Sequence, residues 1–183
     1  LSALNNTSGS DKTYTTAVGA FCLDAVTTGR KNTALGYNAG GATVGGHANL
    51  FLGYEAGKLL AGAASENIVI GAGALDAADG TEEGNVVIGY DAMGAMDEQG
   101  NAVNQNVAIG KNALLGGAAS GNVLQNVAIG YNAMDATGSD AQTGTVAVGG
   151  FALSALTSGT ENTSIGYQSL AGHAGGDKNT AIG

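Results

Sequence analysis

The chain contains no proline and no tryptophan, a single cysteine, and only six lysine and arginine residues. Without proline, its 33 glycines do not belong to a collagen-like helix. One cysteine excludes an internal disulfide and leaves the redox compartment open. The six basic residues face fifteen acidic ones, for a formal net charge of −9. No basic stripe can neutralise phosphates, so neither a nucleic-acid partner nor attraction to an anionic membrane is expected. No apolar run approaches ~18 residues, so neither membrane insertion nor an export signal of its own is expected. Charged residues make up only 11%, which rules out a polyelectrolyte, and 44% hydrophobic content is too high for disorder.

What the chain does have is one short phrase, repeated ten times. A small polar residue leads two or three apolar or β-branched residues and then a glycine. Asn106-Val107-Ala108-Ile109-Gly110, Asn126-Val127-Ala128-Ile129-Gly130 and Asn179-Thr180-Ala181-Ile182-Gly183 are the clearest copies. The anchor glycines are Gly19, Gly36, Gly53, Gly71, Gly89, Gly110, Gly130, Gly149, Gly166 and Gly183, spaced 17 to 21 residues apart. A period of this length means stacked supersecondary units, so residues 1–183 are read as a single repeat array. The anchor glycines are its structural residues, needed for a glycine-only conformation or a closely passing backbone.

A sizeable aliphatic precedes each anchor, from Val18 and Leu35 to Ile165 and Ile182. Two residues earlier stand Thr16, Thr33, Leu50, Ile68, Val86, Val107, Val127, Val146, Thr163 and Thr180. Between them lie mostly small residues such as Ala17, Ala34, Ala108 and Ala128. In a strand these sets point to opposite faces, both apolar, and both must be covered. One cover is the coil interior; the other is a second copy of the chain. Ile109 is read here as a core aliphatic whose truncation opens a cavity.

After the glycine comes a second element, as in Gly89-Tyr90-Asp91-Ala92-Met93 and Gly130-Tyr131-Asn132-Ala133-Met134. A variable Gly, Ala, Ser, Thr and Asp stretch follows and absorbs the differences in period, as a surface turn would. The alanine-rich pieces are too short and glycine-broken for stable helices. Two short strands and a turn per coil are expected, with single-turn helices as the competing reading.

Repeats of the form N-T-A-I-G-Y-x-A-L are similar to the head repeats of trimeric autotransporter adhesins (YadA-like heads). They resemble still more closely the glycine-rich repeats of bacteriophage tail fibres, and the likeness covers essentially the whole chain. It implies an all-β fold: a parallel left-handed β-roll or β-solenoid of about ten coils, assembled as a parallel homotrimeric fibre. The implied function is a structural and attachment segment, a tail-fibre shaft or receptor-binding region on the virion. The alternative is a bacterial surface adhesin or secreted extracellular filament. The implied partners are the chain itself and a host cell-surface carbohydrate or protein. Leu1-Ser2-Ala3-Leu4 matches Leu153-Ser154-Ala155-Leu156 in mid-repeat, so a slice of a longer fibre is expected.

Candidate chemistry is sparse, and neither enzyme activity, nor a cofactor, nor a metal site is expected. Cys22 occupies the slot of Ala39, Ala56, Ala74, Ala92 and Ala113, and is read as a small buried hydrophobe. His47 and His173 fall in turns, where a three-fold axis could gather either into a metal site, against the plainer reading of a solvated turn. Glu55 and Asp91 flank the coil carrying Gly73, about 10 Å apart at ~4.8 Å per coil. Gly175-Gly176-Asp177 resembles one calcium-binding nonapeptide repeat but occurs once, and sequons at Asn5, Asn6 and Asn162 carry little weight. Five of six tyrosines, Tyr37, Tyr54, Tyr90, Tyr131 and Tyr167, directly follow an anchor glycine. They form an interrupted ladder along one edge. It either packs at a corner against the next chain or, with Asn38 and Asn132, offers a surface for stacking on sugars.

Overall fold

The structure, a computed structural model, describes residues 14–96, 100–116, 121–136, 138 and 140–183. The mid-repeat match at Leu1 to Leu4 and the sequons at Asn5 and Asn6 lie outside the described residues.

Thirteen short strands occur among the described residues: β1 (Thr16–Val18), β2 (Thr33–Leu35), β3 (Leu50–Leu52), β4 (Ile68–Ile70), β5 (Val86–Ile88), β6 (Val103–Asn104) and β7 (Val107–Ile109). The remainder are β8 (Val123–Leu124), β9 (Val127–Ile129), β10 (Gln142–Thr143), β11 (Val146–Val148), β12 (Thr163–Ile165) and β13 (Thr180–Ile182). Ten of them form one parallel sheet in the order β1-β2-β3-β4-β5-β7-β9-β11-β12-β13, and every pair aligns the same repeat positions, as in Val107↔Val127 and Ile109↔Ile129. The chain is therefore an all-β parallel solenoid, with no helix among the described residues. Ten rungs bound nine turns, one fewer than the ten coils expected.

The second strand was misplaced by the sequence reading. The segment after each anchor glycine is a stacked turn, and the smaller sheet, β10-β8-β6, comes from residues just ahead of the asparagine. Backbone conformation explains the difference. Two and four residues past the anchor the chain turns left-handed, as at Asp91 (φ 49°) and Met93 (φ 51°) or Asn132 (φ 52°) and Met134 (φ 51°). Asn and Asp tolerate that region; Leu and Met do so at a cost of about 1–2 kcal/mol each, which burying the side chain offsets. The turns remain tied coil to coil by backbone bonds: the Asn132 N–H donates to the Lys111 carbonyl and the Leu114 N–H to the Ala133 carbonyl.

Within each long-sheet strand the middle residue points inward. Ala34, Phe51, Val69, Val87, Ala108, Ala128, Ala147 and Ser164 are buried, while their flanking partners are half-buried or exposed. This corrects the reading of Ile109. It lies on the outer face, and the core row is the small-residue row. Facing it are Cys22, Ala39, Ala56, Ala74, Ala92, Ala113, Ala133 and Ala152, and beside them Leu23, Leu75, Met93, Leu114, Met134 and Leu153. The interior keeps a constant width by exchange of volume. Where Phe51 replaces alanine, the row of Leu23 and Met93 has Gly40 and Gly57 instead, and a Cβ on either would lie 2.6 or 2.5 Å from the Phe51 ring.

A column of amides closes the third side. Asn32, Asn49, Asn67, Asn85, Asn106 and Asn126 stand in successive coils, buried, and the Oδ1 of each of the first five accepts from the next coil's asparagine. For Asn106 and Asn126 the Oδ1 accepts from the backbone N–H at 3.0 Å and from Nδ2 at 3.1 Å. The second Nδ2 proton of Asn106 goes to the Val123 carbonyl at 2.8 Å. Thr145 interrupts the column, which resumes with Asn162 and Asn179.

Candidate functional site

All ten anchor glycines have φ between +130° and +148°, a region closed to side chains. At Gly110 an added Cβ would also lie 2.5 Å from the Gly130 carbonyl oxygen, so the coils meet backbone to backbone along this line. Close approach and backbone conformation both require glycine there. The line forms one border of the outer sheet face.

That face is the most extended apolar feature of the molecule. Each rung contributes two outward residues, and they are aliphatic or threonine throughout, without one charge across ten rungs. Leu35 is 49% exposed and Val18 54%, and the central rungs are half-buried. At ~4.8 Å between strands and ~3.3 Å per residue the plate measures roughly 43 by 10 Å. A patch of several hundred Å² is at the upper end of what monomers leave exposed.

The tyrosine ladder runs along the adjoining corner, every ring between 44% and 68% exposed. It is more continuous than the five tyrosines suggested. Phe21 and Phe151 fill coils that carry Ala20 and Gly150 after the anchor, a one-residue shift that the search for Gly-Tyr missed. Phe21 meets Tyr37 edge-on at 5.7 Å, Tyr37 stacks on Tyr54 at 5.4 Å and 11°, and Phe151 bridges Tyr131 (5.2 Å) and Tyr167 (6.2 Å). Lys111 covers Tyr90, its Nζ 5.5 Å from the ring centre. Each of these rings thus meets a neighbouring rung while the tyrosines stay about half exposed, an arrangement compatible with packing along a corner. Of the two amides grouped with it, Asn132 donates to Asp135.

The flanking carboxylates are not isolated. Glu55 pairs with Lys58 at 3.2 Å, and Asp76 lies among Asp91, Lys58 and Glu55. Burial, and secondarily the Asp91 charge, hold the Asp76 carboxyl above the ordinary carboxylate range, while Lys58 opposes the shift. Asp135 is raised by burial against the lowering bond from Asn132. No group of three metal-ligating side chains occurs among the described residues.

The remaining candidates take structural places. Cys22 is buried in the small-residue row, and desolvation raises its thiol above the usual value. His173 Nε2 lies 3.1 Å from the Asn179 amide. Asp177 Oδ1, in the Gly-Gly-Asp sequence, accepts from the Thr160 N–H and hydroxyl at 2.8 and 3.2 Å. Asn162 is buried in the amide column, donating to Gly176 at 2.7 Å, so its sequon is inaccessible in the fold. Sequence reasoning missed the column itself, although eight of ten phrases carry asparagine four residues before the anchor. Comparison with family models, curated proteins and solved structures returns no match.

Proposed function

We propose that this chain is a segment of a structural and attachment fibre, a left-handed parallel homotrimer joined through the outer sheet face. The observation that carries the reading is that uncharged plate of aliphatic and threonine side chains, next to an interior row and asparagine column packed within the chain. A second copy fits it better than any other cover. Its rungs have the same pitch, it brings no charge to desolvate, and repetition aligns every rung at once. The likeness of the repeat phrase to tail-fibre repeats supports a fibre on a phage virion, with a host cell-surface carbohydrate or protein as its target. The acidic surface suits a rod that must stay soluble and unattached until it meets that target.

Substitution of outer-face residues tests the reading. Ile109→Lys with Ile129→Lys should convert a trimer into monomers in sedimentation equilibrium while the β-type circular dichroism persists. A wild-type chain that sediments as a monomer, or a double variant that still trimerises, would overturn it.

A further inference from the structure

The outer plate has two borders. One is the anchor-glycine line, with the aromatic ladder just beyond it. The other is a corner five residues before each anchor, from Tyr14 and Lys31 to Glu161 and Lys178. There the backbone is left-handed in all ten coils, with φ between 56° and 69°. Glycine takes up such a position most easily, yet only Gly84 and Gly144 do so. The other eight coils keep a side chain, and all eight are exposed, so none is held there by the core. Backbone bonds keep the column in step with the coils, as where the Gln125 N–H donates to the Asn104 carbonyl at 3.1 Å. Within a coil, the sizes along the two borders are complementary. Ala48 is matched with Tyr54, Glu66 with Ala72, and Gly84 with Tyr90, so the bulky member changes sides in three successive coils. Lys31 is matched with Tyr37, a cation with a ring. In one chain the full width of the strand separates the two members of each pair, so a single copy does not bring them together.

We propose that the aromatic border of one copy seats against the corner column of the next, coil for coil. This rests on the parallel trimer read above and adds which border meets which. Rotation about an axis along the rod shifts nothing lengthwise, so each coil meets the same coil of its neighbour. Plates turned toward that axis bring the left border of one copy to the right border of the next. A tyrosine then lies over Ala48 or Gly84, and Ala72 makes room for Glu66. The rings keep their contacts along the ladder and lose the exposure that remains to them in one chain.

Crosslinking reads the border contact directly. In a Cys22→Ala background, alanine being the usual residue of that slot, Gln105→Cys with Lys111→Cys puts one exposed thiol on each border of the same coil. Lys31→Cys with Lys111→Cys puts them four coils apart, about 19 Å along the rod. A short bismaleimide should join the same-coil variant into covalent trimers on denaturing gels and leave the offset variant unlinked. Sedimentation of the untreated samples separates the two readings. A trimer whose same-coil pair is joined no better than the offset pair overturns the border contact and leaves the trimer standing. A monomer overturns both. Ala48→Phe supplies an independent variant: it should weaken trimerisation at least tenfold, and adding Tyr54→Ala should recover most of that loss. No weakening, or no recovery in a chain that keeps its β-type circular dichroism, also overturns the contact.

Discussion

Asn106 has no freedom to be anything else. Its amide accepts twice from Asn126 and donates to Asn85 and to the Val123 carbonyl, all out of contact with water. Asn106→Ala strands the Val123 carbonyl and the donors of Asn126, at about 1–3 kcal/mol for each buried group left without a partner. We expect urea unfolding to show a loss of at least ~2 kcal/mol; a loss below half of that would mean water replaces the amide. Asp76 acts in the opposite sense. Its carboxyl titrates above its unfolded value, so the folded chain binds a proton more readily than the unfolded one. Its penalty is fully present above the raised value and is relieved as pH falls toward the ordinary carboxylate range near ~3.9. Asp76→Asn should therefore raise the melting temperature at pH 7 and shrink that advantage in acid. An equal gain at both pH values would contradict the burial of this carboxyl.

Each coil is a unit of compensating volumes, and the substitutions that matter follow from which way a side chain points. Phe51 fills the space left by Gly40 and Gly57. Phe51→Ala should cost about 3–5 kcal/mol, and the cost should not vary with protein concentration, because the cavity lies inside one chain. Ile109→Ala should act through assembly, its effect on thermal stability fading as dilution dissociates the trimer. Denaturation curves at several concentrations separate the two, and a concentration-independent loss for Ile109→Ala would assign it to the core after all. The period, the parallel register and the anchor glycines were readable from sequence because they repeat. Which face of the strand turns inward was not, because Ala-flanked-by-Ile presents two apolar faces and alternation alone does not rank them. The post-glycine turn was also missed: Met93 and Met134 in a left-handed backbone contradict local preference, and only stacking against neighbouring coils holds them there.

For the whole molecule, nine turns in register make a stiff rod about 43 Å long at ~4.8 Å per rung. The outer plate is left uncovered by the chain itself, and the proposed lateral pairing of copies rests on that plate. Side-by-side and end-to-end association can give the same total mass but differ in mass per unit length, which small-angle X-ray scattering reads from the rod cross-section. One chain of 17.7 kDa over that length carries about 0.4 kDa per Å, and three parallel chains about 1.2 kDa per Å. The lateral trimer requires the higher value. A rod at about 0.4 kDa per Å would leave the outer sheet face uncovered in solution and contradict the assembly.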